Sequence, residues 1–334
     1  MQPGFLPGSR DLNTSVSFIV PVEDDINAIE ALMLAQADHY HADLGAALNL
    51  LLSSGGKRIR PALTMLLGKL LNADRQRLLY MGSAIELLHT ATLVHDDLID
   101  GALLRRGTPT LNAHWSSGAT VLTGDFIFAR AAEMAASTDS IEVMKLFSRT
   151  LSIIVNGELT QLFLNRCKVD RDGYLQRIYA KTASLFETSA KSAALISNCP
   201  SDQVELARLF GYNIGLAFQI IDDMLDFTAE QSKLGKPVGS DLRQGIVTLP
   251  AILFAEQNPN DPDARALFEG ICLDDQDDME RVITRITGSD AIRDSHREAK
   301  QYIETALDAL HQLPYTPERS ALEDLAYYIV QREF

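Results

Sequence analysis

The chain has 334 residues, 46% hydrophobic and 22% charged, enough to bury a sizeable core as one large domain or two ordinary ones. Its formal net charge of -15 excludes a generally basic nucleic-acid-binding surface but leaves room for local cationic clusters that take small anions. Cys167, Cys199 and Cys272 lie far apart with no CxxC pair, so the expectation is no disulfide framework, no zinc site and a reducing compartment.

Residues 1–20 carry Gly, Pro and Ser and read as a loose tail, without the basic start and apolar run of a signal peptide. Residues 21–334 read as a single domain, since no shift in composition divides them. From about residue 22, apolar residues recur at three- and four-residue spacing, the helical period. GGKRIRPAL at 55–63 interrupts it. Pro61 suits the first turn of a following helix, and Lys57, Arg58 and Arg60 beside that start suit an anion. Alone, the stretch reads equally as a basic loop balancing an acidic protein. A long helix follows and ends in DDLID at 96–100, with Arg105-Arg106-Gly107 just beyond it. In TGDFIFARA, Asp125 reads as a structural hydrogen-bonding group. AKTASL at 180–185 supplies Lys181 and Thr182. Another long apolar helix ends in DDMLD at 222–226, and KLGKPVGSD at 233–241 adds Lys236. DDQDD at 274–278 reads as a solvated loop or helix start. Gly and Pro sit between the helical runs, and almost no stretch alternates with period two. The expected fold is all-α, with about a dozen helices. No apolar run reaches about 18 residues without a charge, so no membrane span is expected.

The two aspartate clusters share one spacing, with acids at i, i+1 and i+4. On a helix i and i+4 lie on one face, so Asp96 pairs with Asp100 and Asp222 with Asp226. Asp97 and Asp223 turn about 100° away and flank the pairs. One such cluster is ordinary on a solvated face. Here LLHTATLV precedes the first and IGLAFQII the second, and helices that apolar are mostly buried. Buried, repelling carboxylates call for a cation. Oxygen-only ligands favour Mg²⁺ over zinc, and Mg²⁺ held by few carboxylates shares its sphere with substrate phosphates. Two acid clusters and two basic sites suggest two diphosphates side by side. ELLH at 86–89 is a single ExxH, which a di-iron bundle would need twice.

In this order, GGKRIRP, DDLID, RRG, KT, FQIIDDMLD, GKPVGSDLRQG and TLP resemble the trans-isoprenyl diphosphate synthase, or polyprenyl synthetase, family over roughly residues 25–334. YYIVQREF at the C-terminus is also similar to the family's ending. The resemblance implies the isoprenoid synthase fold, a helix bundle around a deep central cavity. It implies an enzyme condensing isopentenyl diphosphate head-to-tail with an allylic diphosphate, giving an E-configured polyprenyl diphosphate. It carries Mg²⁺, about three ions per active site, onto Asp96, Asp100 and Asp222, with Asp226 acting through water. Arg105, Lys181 and Lys236 would hold the allylic diphosphate. Lys57, Arg60, His89 and Arg106 would hold isopentenyl diphosphate. Thr182 and Gln219 would face the forming cation. It further implies a cytoplasmic homodimer with no nucleic-acid partner, releasing product at a membrane surface; a minority of the family is heterodimeric. One departure is GIVTLP, where Ile246 stands for a lysine common in the family, putting one contact to the allylic diphosphate in doubt.

In this family, short-chain enzymes place bulky aromatics four and five residues before the first aspartate. Here those positions are Thr92 and Ala91, both small. The next layers, Leu88 and Ile85, lie about 12 Å and about 17 Å from Asp96 along the helix. The expected product is therefore longer than farnesyl diphosphate, about C30 or above. Geranylgeranyl or farnesyl diphosphate synthesis is the alternative. A class I terpene cyclase needs neither GGKRIRP nor a second aspartate cluster. A silent heterodimer subunit would be expected to lose aspartates, and neither cluster is degraded.

Overall fold

The computed structural model describes residues 17–37, 42–53, 56–105, 107–163, 167–228, 237–272 and 275–332. Fifteen α-helical segments occur among them. These are α1 (Glu23–Leu34), α2 (Ala42–Ser53), α3 (Ile59–Leu70), α4 (Arg75–Ile99), α5 (Ser117–Ala136), α6 (Ile141–Phe163), α7 (Arg171–Ile178), α8 (Ser184–Ser197) and α9 (Ser201–Thr228). After them come a single turn, α10 (Ser240–Arg243), then α11 (Leu249–Gln257), α12 (Pro262–Glu269), α13 (Gln276–Thr287), α14 (Asp290–Leu310) and α15 (Pro317–Val330). The all-α expectation holds, with one small exception. Leu104–Arg105 and Thr108–Pro109 pair antiparallel, and Gly107 supplies the positive φ (76°) that the tight reversal needs.

The described chain begins inside the stretch read as a tail. Ser17–Val22 is a 3₁₀ helix whose Phe18 is wholly buried, its ring 5.4 Å from that of Tyr328 on α15. Ordered packing therefore starts at least four residues before the expected boundary at residue 21; residues 1–16 lie outside the described residues.

α4 and α9 are the longest helices near the middle of the bundle. α4 runs along α5, and α9 lies against α8 and α14. Both are apolar around much of their circumference, as buried helices must be. Asp74 starts α4 by accepting the Arg77 N–H at 2.9 Å. Between α7 and α8, Tyr179–Ala183 forms a π turn, a feature that the helical period does not reveal. α9 crosses it at close range: a Cβ on Gly215 would stand 2.5 Å from Ala183 Cα. Only glycine permits that approach.

The expectation of no disulfide is overturned. Cys167 and Cys272 form a disulfide with their Cα atoms 5.2 Å apart, across 105 residues of sequence, and Cys199 remains a free thiol. Residues so distant in sequence meet because the Cys167 N–H donates to Gly245 O at 2.7 Å and Val169 N–H to Leu267 O at 3.0 Å. One thiol per unfolded, non-reduced chain should react with a thiol reagent. Reduction, or Cys167→Ser, should lower stability by up to ~4 kcal/mol, read as a fall in Tm, because a closed loop of this length restricts the unfolded chain.

Candidate active site

Both aspartate clusters sit at the C-terminal ends of their helices. Asp96 and Asp97 occupy the last turn of α4 with Asp100 as its C-cap, and Asp222, Asp223 and Asp226 occupy the end of α9. Carboxylates there face the negative end of the helix dipole, which disfavours them unless a cation is near. Asp96 shows the consequence. Burial lifts its pKa to about 6, Glu158 and Asp100 push the same way, and Lys181 and Arg105 oppose them.

The π turn joins the two clusters. Lys181 Nζ lies 4.0 Å from Asp96 Oδ2 and 3.3 Å from Glu158 Oε1 on α6. Burial works against the Lys181 charge, but Asp96 and Glu158 outweigh it and hold the ammonium above its ordinary pKa. The next residue, Thr182, donates its hydroxyl to Gln219 Oε1 at 2.6 Å, one turn before the second cluster. Gln219 Nε2 donates to Asp223 Oδ1 at 2.7 Å, and the Tyr174 hydroxyl donates to Asp223 Oδ2 at 2.8 Å. Burial and the neighbouring Asp241 push the Asp223 pKa to about 8, against the two donated hydrogen bonds.

Two further aspartates of the clusters, Asp97 and Asp226, have structural work. Asp97 is buried and takes Arg105 Nε at 2.9 and 3.1 Å and Nη2 at 2.8 Å. Arg105 is thus anchored on an aspartate of the first cluster, where sequence reading gave it only to the allylic diphosphate. Asp226 Oδ2 accepts the Asp241 N–H at 3.1 Å and its carbonyl accepts Gly239 N–H at 2.8 Å, which ties down the start of α10. Asp125 is largely exposed, 3.6 Å from His95 Nε2.

The basic motif divides its labour too. Arg58, in the left-handed region at the start of α3, is held by Glu30 at 2.9 Å and Glu86 at 2.8 Å. Lys57 is exposed with Nζ 5.0 Å from the Tyr328 ring centroid. Arg60 stacks 4.7 Å from the Phe186 ring centroid, and its buried Nε has no hydrogen-bond acceptor among the described residues. Burial lowers its pKa; Glu86 and Asp222 pull the other way. Phe186 packs 5.1 Å from Phe218, over which Arg332 stacks at 4.4 Å while pairing with Asp222 at 2.8 Å. Two guanidiniums on two adjacent rings make a cationic shelf beside the second cluster.

His89 is half-buried on α4 and its carbonyl accepts the Thr92 hydroxyl at 2.7 Å. Ala91 and Leu88 are wholly buried, whereas Thr92 keeps accessible surface. Arg106 and Lys236 lie outside the described residues. Glu158, Tyr174 and Arg332 were missed by sequence reading. Glu158 had a signal, a lone acid in the apolar run IIVNGELTQLF. Arg332 had one in YYIVQREF, the stretch similar to the family's ending, though nothing there gave it a role; Tyr174 had none, since neither spacing nor composition singles it out.

No three His, Cys, Asp or Glu side chains converge into a ready-made metal cage among the described residues. The donors nonetheless suit a hard divalent cation: each cluster offers carboxylates only, at a helix end where negative charge is disfavoured. The remaining ligands would come from phosphate and water.

A family model described as "Polyprenyl synthetase" matches residues 41–286. The chain belongs to the polyprenyl synthetase family. It is a trans-prenyltransferase. It is 38% identical to heptaprenyl diphosphate synthase component 2 of Geobacillus stearothermophilus, covering 94% of this chain and 97% of that one. It is 35% identical to the octaprenyl diphosphate synthase of Escherichia coli, covering 85% and 88%. The crystal structure of a polyprenyl synthase from Caulobacter crescentus, complexed with calcium and isoprenyl diphosphate, superposes with a TM-score of 0.88 at 33% identity, covering 97% of this chain and 99% of that one. The isoprenoid synthase fold is therefore this family member's fold. Among the described residues no helix is long and apolar enough to cross a membrane.

Proposed function

We propose that this polyprenyl synthetase condenses isopentenyl diphosphate with an allylic diphosphate to make a polyprenyl diphosphate longer than farnesyl, using Mg²⁺ held by Asp96, Asp100 and Asp222, with Asp226 acting through water. The observation that carries the site assignment is the π turn, where adjacent residues reach one cluster directly and the other through Gln219: Lys181 is 4.0 Å from Asp96, and Thr182 is 2.6 Å from Gln219, which donates to Asp223 at 2.7 Å. Mg²⁺ would supply the positive charge that stabilises the departing diphosphate. Lys181, Arg105 and Lys236 hold the allylic diphosphate as its C–O bond breaks and the electron pair leaves with it. Lys57, Arg60, His89 and Arg106 hold isopentenyl diphosphate, whose double bond attacks the allylic cation. The buried Arg60 Nε, with no acceptor among the described residues, supports an anion there. A proton then passes to the departing diphosphate, so no side-chain base is needed. Thr182 and Gln219 present oxygens to the cation. The apolar residues of α4 and α9 keep water from trapping it.

The small pair Ala91 and Thr92 supports a long product, as do relatives named for heptaprenyl and octaprenyl diphosphate. A homodimer is supported by α6, where Val155, Leu159, Leu162 and Phe163 are exposed at helical spacing, from 46% to 84%. Release of the product at a membrane surface completes the reading. The test is incubation of the pure chain with isopentenyl diphosphate, Mg²⁺ and dimethylallyl, geranyl or farnesyl diphosphate in turn, with product length measured. Long polyprenyl products are expected from at least one primer. No condensation with any primer overturns the single-chain reading, and recovery on adding a second subunit would replace the homodimer with a two-chain enzyme.

A further inference from the structure

Asp223 has no part in the reaction above, yet it is only 3% exposed, between the apolar Ile220, Ile221, Leu225 and Phe227 on its own helix. Tyr174, its partner, is wholly buried. We propose that Tyr174 and Asp223 are positioning residues that set the direction of the Thr182 hydroxyl, so that its lone pairs, rather than its proton, face the developing allylic cation. This rests on the prenyl-transfer reading.

An amide side chain is nearly symmetric in shape, so its neighbours decide which end points where. Asp223 Oδ1 accepts from Gln219, which turns the Gln219 NH₂ toward Asp223 and its carbonyl toward Thr182. The single Thr182 hydroxyl proton is engaged on that carbonyl. What remains on Thr182 Oγ1 is lone-pair density, which stabilises a cation, where an O–H turned outward would repel one. The direction is the same if Asp223 carries a proton on Oδ2: the proton is then donated to the Tyr174 oxygen, and Oδ1 still accepts from Gln219. A packing role alone would not require a carboxyl group here, since burying one is unfavourable. The close crossing at Gly215 and Ala183 brings the π turn within hydrogen-bonding reach of α9.

Steady-state kinetics on four variants test this. Asp223→Leu leaves the Gln219 amide free to turn over and should lower kcat ~30-fold, with KM for both substrates within about twofold. Asp223→Asn should rescue kcat to within about threefold of wild type, because the Asn oxygen can face Gln219 while its NH₂ donates to the Tyr174 oxygen. Adding Tyr174→Phe to Asp223→Asn removes that acceptor, and kcat should fall ~10-fold beyond the product of the two single effects. In a Thr182→Val background, Asp223→Leu should lower kcat no further. Strictly multiplicative effects of Tyr174→Phe and Asp223→Asn would overturn the proposal, as would an Asp223→Leu loss that persists without the Thr182 hydroxyl. Wild-type turnover in the same assay tests the prenyl-transfer reading separately, so failure of one is not mistaken for failure of the other.

Discussion

Asp96→Asn is expected to lower kcat/KM for condensation by ~10³-fold or more while making the substrate-free protein more stable. The two effects have one cause. Asp96 is held in a poorly solvated position beside Glu158 and Asp100, at the disfavoured end of the α4 dipole. Burial raises its pKa from 3.8 to about 6 in the folded chain. Above that pH, ionising the carboxyl is harder in the folded chain than in the unfolded one, so at neutral pH the charge destabilises the fold. The isosteric amide removes that cost and should add ~1–3 kcal/mol at about pH 7.5, a Tm rise of ~2–5 °C. As pH falls through about 6 toward about 4, the wild-type carboxyl becomes protonated in both states, and the Tm gap should close. Thermal melts across that range, with activity measured beside them, check both halves. An Asn variant less stable than wild type at neutral pH would mean that the Lys181 contact outweighs the burial of Asp96. One that keeps its turnover would remove Asp96 from the reaction.

Such a carboxylate was legible in the sequence because its setting was wrong for an ordinary acid. Asp96 and Asp222 each end a long apolar run, and two matched clusters in such runs leave few uses besides a cation. The helices were legible for the same reason, since periodicity records which face is buried. What stayed hidden depends on tertiary approach. The π turn at Tyr179–Ala183 has no periodic signature, and the Cys167–Cys272 bridge joins residues 105 apart. The pairing of Asp97 with Arg105 was hidden because they are eight residues apart, on either side of the end of α4 and the turn at Gly101. Arg58 looked like a ligand from its motif and proved to be held by two glutamates from α1 and α4. Charge type is readable from a motif, but the partner that consumes the charge is not.

Thr92→Phe and Ala91→Phe are both expected to shorten the product, but with different consequences for the fold. Sequence reading treats the two small residues alike. The structure separates them: Ala91 is wholly buried in the core with Leu88 and Ile85, whereas Thr92 retains accessible surface on α4. A ring at residue 92 can extend into space that the chain leaves open, stopping a growing tail one helical turn below Asp96, about 6 Å along the axis. A ring at residue 91 must first displace close-packed neighbours, which costs ~1–3 kcal/mol. Thr92→Phe should therefore give products several isoprene units shorter with Tm close to wild type. Ala91→Phe should shorten them with a lowered Tm. Chromatography of dephosphorylated products and thermal melts together decide it. If both rings leave product length unchanged, the tail does not run along this face of α4, and the floor of its path lies on another helix. If only Ala91→Phe shortens the product, the tail enters by prising the core apart at Ala91, and accessible surface in the substrate-free chain does not mark its path.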